Sequence, residues 1–232
     1  MTGARGLVSV VIAARDAERY LADAIDSVLA QTYPQVEPIV VDDGSQDRTT
    51  EIARGYGPRL RCVRQPGAGP GAARNRGVEL ATGEFLAFLD ADDLFPPERL
   101  ARQIQELGRD PTLDAVFGHV AEFGTQDGNG GSTHGHRAML PPLASHFATA
   151  MVTRRVAFDR VGPFSTDLTV GKTIDWYARA VDTGLRMSML QEVVLHRRLH
   201  ARNLGIVEAG STSDYLRVVK ATLDRRRGRA ES

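Results

Sequence analysis

Cysteine is almost missing: Cys62 is the only one in 232 residues, so no internal disulfide is available and a reducing compartment is indicated. It stands between Arg61 and Val63 in a stretch that reads as a strand, where a small buried side chain is expected rather than a reactive thiol. An excess of either charge is missing too. Basic and acidic residues number 29 each, which leaves no global field to draw the chain to nucleic acid or to an anionic membrane. No apolar run is long enough to span a bilayer, because the one following Met1 to Gly6 meets Arg15 and Asp16 directly after Ala14. A cytoplasmic protein with no transmembrane segment and no nucleic-acid partner is expected. There is no internal repeat, and aromatics make up 6% of the chain with a single tryptophan, Trp176.

Against those absences, the first half alternates short β-branched runs with helical patterns, as parallel βαβ units do. Leu7 to Ala13 suits a strand covered on both faces. Tyr20, Leu21, Ala24, Ile25, Val28 and Leu29 recur at helical spacing and predict a helix from Ala17 to Gln31. Val36 to Val41, Leu60 to Val63 and Phe85 to Leu89 predict strands. Thr49 to Tyr56, Ala72 to Ala81 and Pro96 to Leu107 predict helices, proline being tolerated in a first turn. After Val116 the pattern loosens. Gly124 to Gly135 reads as a mobile loop, and His134 and His136 at its end are better taken as solvated than as metal ligands. Beyond it the sequence predicts a strand near Ala148 to Thr153, helices over Arg155 to Val161 and Thr173 to Gly184, a late strand at Val193 to Arg198 and a terminal helix from Ser211 to Arg227.

Acids gather where two strands end, and in open α/β sheets ligands bind outside the carboxyl ends of strands. Asp42-Asp43-Gly44-Ser45-Gln46-Asp47 follows Val41, and Asp90-Ala91-Asp92-Asp93 follows Leu89. A strand-to-helix turn explains Gly44, by positive φ, and Asp47, as a helix cap. It leaves the adjacent carboxylates unexplained. Crowded carboxylates repel unless a cation neutralises them, and hard oxygen donors favour Mg2+ or Mn2+.

Four motifs in order, Val8-Ser9-Val10-Val11-Ile12, Val40-Val41-Asp42-Asp43-Gly44-Ser45, Gly71-Ala72-Ala73-Arg74-Asn75-Arg76-Gly77 and Ala81-Thr82-Gly83-Glu84-Phe85-Leu86-Ala87-Phe88-Leu89-Asp90-Ala91-Asp92-Asp93, resemble glycosyltransferase family 2 over residues 7 to 123. The resemblance implies an α/β GT-A fold, a Rossmann-like, mainly parallel sheet flanked by helices in a single domain. Residues 7–115 would form the nucleotide-sugar donor half, 116–210 the acceptor half, and 211–232 a C-terminal helix with a basic tail. It also implies a nucleotide-diphosphate sugar donor, a divalent metal on an Asp-x-Asp motif, inversion at the anomeric carbon, and an acceptor that the motifs do not name. Carried over by position, Ala13, Arg15, Asp42 and Asp43 would line the base and ribose pocket. Asp90 and Ala91 would lie near the ribose and metal, Asp92 would ligate the metal, and Arg74 would sit beside the nucleotide or steady the acids. The family often ends its first strand with Pro-x-Tyr-Asn where this chain has Ala13-Ala14-Arg15-Asp16, which leaves the base identity open.

A competing reading comes from Gly67-Ala68-Gly69-Pro70-Gly71-Ala72, which fits the dinucleotide fingerprint of nicotinamide enzymes. Pro70 removes one backbone donor from such a loop, so the glycines are better read as a flexible loop over the donor. A third reading is a catalytically silent nucleotide-binding module. For the transfer itself, Asp175 is the candidate base, at the mouth of an apolar-aromatic segment where desolvation would raise its basicity. The family places a Glu-Asp pair ahead of a similar segment, and here Lys172-Thr173 take those positions. Trp176 is expected in the core rather than on a sugar ring. Leu195 to Asn203 resembles the His-x-x-Asn segment of some members, with His200 completing the metal site or touching a phosphate and Arg197 or Arg198 as cation partners. Arg225-Arg226-Arg227-Gly228-Arg229 reads as a solvated basic end to the last helix. The loops at 65–71 and 124–137 are expected to order over the donor.

Overall fold

A computed structural model describes residues 4–124, 137–138, 141–168, 170–200 and 212–230. The glycine-rich loop after Gly124 with His134 and His136, and Ala201 to Asn203, lie outside the described residues. The chain runs β1 (Ala4–Ala14), α1 (Leu21–Leu29), β2 (Val36–Asp42), α2 (Thr49–Gly55), β3 (Arg61–Arg64), α3 (Pro70–Leu80), β4 (Gly83–Asp90) and α4 (Arg99–Arg109). It continues with β5 (Ala115–Gly124), β6 (Arg137–Ala138), β7 (Leu143–Ser145), β8 (Val152–Arg154), α5 (Arg155–Val161), α6 (Lys172–Asp182), β9 (Met187–Leu199) and α7 (Thr212–Ala230).

The strands form one mixed sheet in the order β3-β2-β1-β4-β8-β5-β6, with β7 and β9 also paired to β5. Its β3-β2-β1-β4 half is parallel throughout, β5 and β9 are parallel, and the short strands β6, β7 and β8 run antiparallel to their neighbours. Parallel strands sandwiched between helices must be apolar on both faces, and Val8, Val10, Val11 and Ile12 are indeed fully buried, as are Ile39, Val40 and Val41. Alternation along each strand divides these side chains between the two faces of the sheet, where they join a small cluster of Ile39, Val41 and Ala73 or one of two large cores. One gathers Val10, Ile12, Val40 and Leu89 with Leu21, Ile25 and Val28 of α1. The other gathers Val11, Leu86 and Phe88 with Phe117, Phe158, Phe164 and Trp176.

Trp176 is a core residue. Its ring stacks on Phe158 at 5.5 Å between centroids, and its indole N–H donates to the Gly162 carbonyl at 3.0 Å. Cys62 sits half-buried in β3 against the first core.

Several elements differ from the sequence expectation. α1 begins at Leu21, and Pro96 and Pro97 precede α4 rather than open it. Residues 148–153 divide into a 3-10 turn and β8. β5 is a ten-residue strand where the sequence pattern loosens, because Gly118, His119 and Glu122 interrupt its apolar run and its support is non-local. A Cβ on Gly118 would meet Val194 Cγ1 at 2.4 Å, so β9 closes directly onto that strand. The basic tail is anchored rather than solvated at its start: Arg225 and Arg226 of α7 reach Asp182 at 3.1 and 3.0 Å. Among the described residues, no helix is long and apolar enough to cross a membrane.

Candidate active site

The parallel register sets the tips of three strands level, with Ala13 beside both Val41 and Asp90 and Ala14 beside Asp42. These tips open onto a cavity of about 1040 Å3, closed on the far side by the start of α6, by Arg197 and His200, and by Tyr215 of α7. Ala13, Arg15, Asp43 and Arg74 line it, and so do Asp90, Ala91, Asp92 and His200. Asp42 and Asp175 do not.

Neighbouring side chains on an extended chain point to opposite sides, and the two adjacent aspartates part accordingly. Asp42, expected in the base and ribose pocket, is instead fully buried. Its Oδ1 accepts the Ser45 N–H at 2.9 Å and the Ser45 hydroxyl at 2.5 Å, its Oδ2 accepts the Thr50 hydroxyl, and Arg64 lies 3.8 Å away. It closes the turn. Gly44 completes that turn at φ +80°, where an added Cβ would meet the Gly67 nitrogen at 2.8 Å. Asp47 accepts the N–H of Thr49, the first residue of α2, at 3.0 Å.

Asp43 does face the cavity, but its carboxylate is occupied. Oδ1 accepts from Gln65 Nε2 and from the Ala68 N–H, both at 2.8 Å, and Oδ2 accepts from the Gly69 N–H at 2.7 Å. Those backbone donors are the ones a dinucleotide fingerprint would aim at pyrophosphate. A carboxylate already holds them, which overturns the nicotinamide reading and pins the glycine loop to the end of β2.

At the end of β4 each acid has a different fate. Arg74, buried on α3, ion-pairs with Asp90, and its buried Nε finds no hydrogen-bond acceptor among the described residues. A buried guanidinium N–H left in that state costs free energy. Asp92 meets His200, Oδ2 to Nε2 at 2.9 Å, and the imidazole stacks on Tyr20 with centroids 5.0 Å apart. Asp93 edges the cavity but turns its carboxylate to the Arg198 N–H at 2.9 Å. Burial, reinforced by the charges of Asp92 and Asp90, pushes Asp93 well above the usual carboxylate range.

Arg198 holds this loop in place and was only loosely marked by sequence. Its Nε donates to the Asp92 carbonyl at 2.9 Å, its guanidinium lies 4.7 Å from the Tyr20 ring and 4.8 Å from the Phe123 ring, and Leu94 and His196 exchange both backbone hydrogen bonds at 2.9 Å. β9 is thereby clamped across the acidic motif, which is how His200 comes to meet it. Arg197 is paired with Glu122 at 3.1 Å.

The oxygens of Asp90 and Asp92 with the His200 imidazole are a donor set suited to Mg2+ or Mn2+. Among the described residues, no three Asp, Glu, His or Cys side chains converge tightly enough to hold an ion by themselves. An ion at this place would have to share its coordination with phosphate oxygens and water.

Asp175, the expected base, departs most from its expectation. α6 presents its amino end to the cavity, where Lys172 and Thr173 line the wall. Asp175 lies about 4.5 Å further along the helix axis, where Arg179 Nε reaches its Oδ2 at 3.0 Å and Arg225 Nη1 approaches Oδ1 at 4.0 Å. An ion-paired carboxylate off the cavity is not placed to take an acceptor's proton. Lys172 lines the cavity although the sequence motifs assign it no role, and the signal for it is the absent Glu-Asp pair whose place it takes. Its side chain packs so near α3 that a Cβ on Gly71 would come within 2.9 Å of its Cδ.

Residues 9–166 match the family model described as Glycosyl transferase family 2. An uncharacterized glycosyltransferase of Rickettsia typhi is 30% identical over 209 residues, covering 84% of this chain and 64% of the relative. S. aureus TarS 1-349 in complex with UDP has a similar structure, with a TM-score of 0.72 at 19% identity, covering 94% of this chain and 65% of that one. The mannosyltransferase PcManGT from Pyrobaculum calidifontis, in complex with GDP-Man and Mn2+, gives a TM-score of 0.71 at 21% identity, covering 94% of this chain and 64% of that one. These likenesses show the GT-A fold, and the chain spans less than two thirds of the length of each of the three proteins. A family model matched over more than half of its residues, on a sheet whose acidic strand tips share one cavity, makes this chain a member of glycosyltransferase family 2.

Proposed function

We propose that the protein transfers a sugar from a nucleotide-diphosphate donor to an acceptor hydroxyl with inversion at the anomeric carbon, and that Asp92, Asp90 and His200 hold a divalent cation on the diphosphate. The observation that carries this reading is the meeting of Asp92 and His200 on the cavity wall beside Asp90. Neighbours of the same fold support it, since one is in complex with UDP and another with GDP-Man and Mn2+. Ala13, Arg15 and Ala91 would flank the nucleotide. Arg74 steadies Asp90, and Lys172 adds positive charge at the opposite wall. Asp43 acts indirectly, by fixing the loop from Gly67 to Gly69.

In the displacement, the acceptor oxygen forms a bond to the anomeric carbon, the bond from that carbon to the diphosphate oxygen breaks, and the hydroxyl proton passes to solvent water. A divalent ion, when bound, offsets the charge that develops on the departing diphosphate. Of the two candidate ions, Mn2+ tolerates an imidazole ligand better than Mg2+. Asp42 closes a turn in this scheme and Asp175 positions α6.

One observation favours a second reading, a nucleotide-binding module without turnover: Lys172 and Thr173 occupy the wall where the resemblance implies an acidic pair. The two readings separate on release of nucleoside diphosphate from UDP- and GDP-sugars with Mn2+, followed by mass spectrometry. Release that depends on Mn2+ and is lost in Asp92→Asn supports transfer. Mn2+-dependent nucleotide binding with no release from any donor supports the silent module.

A further inference from the structure

A second cavity, of about 430 Å3, adjoins the first and shares Phe147 and Arg197 with it. It lies between β5, β7 and α6, and its wall is made chiefly by Val120, Leu143, Phe147, Ile174 and Tyr177. Leu143, Phe147 and Ile174 are 66%, 40% and 41% exposed, so three large apolar side chains left to water gather around one opening. A rim of that kind marks a binding surface more often than chance exposure does.

The polar groups present are already matched. Arg197 and Glu122 neutralise one another at 3.1 Å. His146 is packed against Tyr177 at 4.4 Å and Phe117 at 5.2 Å between ring centroids, and burial draws it below the ordinary histidine value, toward the neutral form. A polyol placed here would bury hydroxyls with few partners. An aryl ring or alkyl chain would bury apolar surface against apolar surface.

Resting on the transfer reading above, we infer that this cavity seats an apolar part of the acceptor, so that the hydroxyl entering the donor cavity past Phe147 is carried by an amphiphile rather than by a free saccharide. The shared wall residues Phe147 and Arg197 set such a group next to the donor cavity, and the neutralised Arg197 offers no net charge to an ionic head group.

Binding of methyl, 4-nitrophenyl and n-octyl β-D-glucopyranoside, each below its micelle-forming concentration, tests this by calorimetry. Both hydrophobic glycosides should bind at least about tenfold more tightly than the methyl glycoside, the effect of burying roughly two methylene groups. Preference for the nitrophenyl compound identifies an aryl acceptor, and preference for the octyl compound an alkyl one. Ile174→Glu and, separately, Leu143→Glu should erase the difference while stabilisation by UDP or GDP with Mn2+ is unchanged, since neither residue lines the donor cavity. Equal affinity for the three glycosides, or a difference that survives both substitutions, overturns the inference. Absence of nucleotide binding in the parent protein, with glycoside discrimination present there and erased by the two substitutions, overturns the donor reading alone.

Discussion

His200 and Asp92 stand 108 residues apart in sequence and 2.9 Å apart in space, Nε2 to Oδ2. β9 brings them together, and Tyr20 holds the imidazole flat from the other side. If both serve the same ion, each should matter only when that ion is present. Asp92→Asn and His200→Ala are expected to weaken Mn2+-dependent nucleotide binding by at least the ~10 to 100-fold that loss of an outer partner of a metal ligand costs. Calorimetric titration of nucleotide with and without Mn2+ reads this, and metal-free binding should be unchanged.

Asp175 is expected to act through the placement of α6, by its pairing with Arg179 and Arg225. Asp175→Asn should lower the melting temperature and leave kcat within about tenfold of the parent. Loss of a general base would cost ~100 to 10,000-fold in kcat with little change in KM, so the ratio of the two constants decides between the roles.

Asp42 accepts from Ser45 and Thr50 in a fully buried setting. Asp42→Ala leaves those donors without an acceptor and should cost about 1 to 3 kcal/mol of stability, measured by urea unfolding. Nucleotide affinity per folded molecule should not change. Gly77→Ala should cost about as much by overpacking, because its new Cβ would fall 2.2 Å from Val11 Cγ1.

Docking of α7 should depend on acid. Burial alone would raise the Asp182 carboxyl, but hydrogen bonds from Arg226 and Arg225 outweigh it and set the group below its ordinary 3.8. A depressed folded value means that the stabilisation is present above the unfolded value and is lost as pH falls through the folded one. Cleavage of α7 by pepsin should therefore rise as pH falls below about 4, while β1 to β4 hold. Asp182→Asn should show the faster cleavage already at about pH 5.

Sequence carried the donor half of the fold well, and for a physical reason. β1, β2 and β4 each carry an apolar run, and those of β2 and β4 end in acids, so these buried strands and the place of the acids at their tips follow from local pattern alone. β5 was not legible because Gly118, His119 and Glu122 break its periodicity, and only the pairing with β9 supports it. Asp42 and Asp43 share chemistry and differ in which side of an extended chain they face, a choice made by packing. Asp175 and Lys172 differ by less than one helical turn, and only the docking of α6 against α7 decides which of them lines the cavity.

Thermal stabilisation by UDP and GDP, each with and without Mn2+, tests the central claim most directly, which is that the strand-tip acids and His200 bind a metal-diphosphate unit. At about 100 times its dissociation constant, a matching nucleotide should add roughly 2.7 kcal/mol of stability when Mn2+ is present, and Asp92→Asn should abolish that gain. A melting temperature indifferent to every nucleotide with Mn2+ supplied, or a gain that Asp92→Asn leaves intact, would contradict the account.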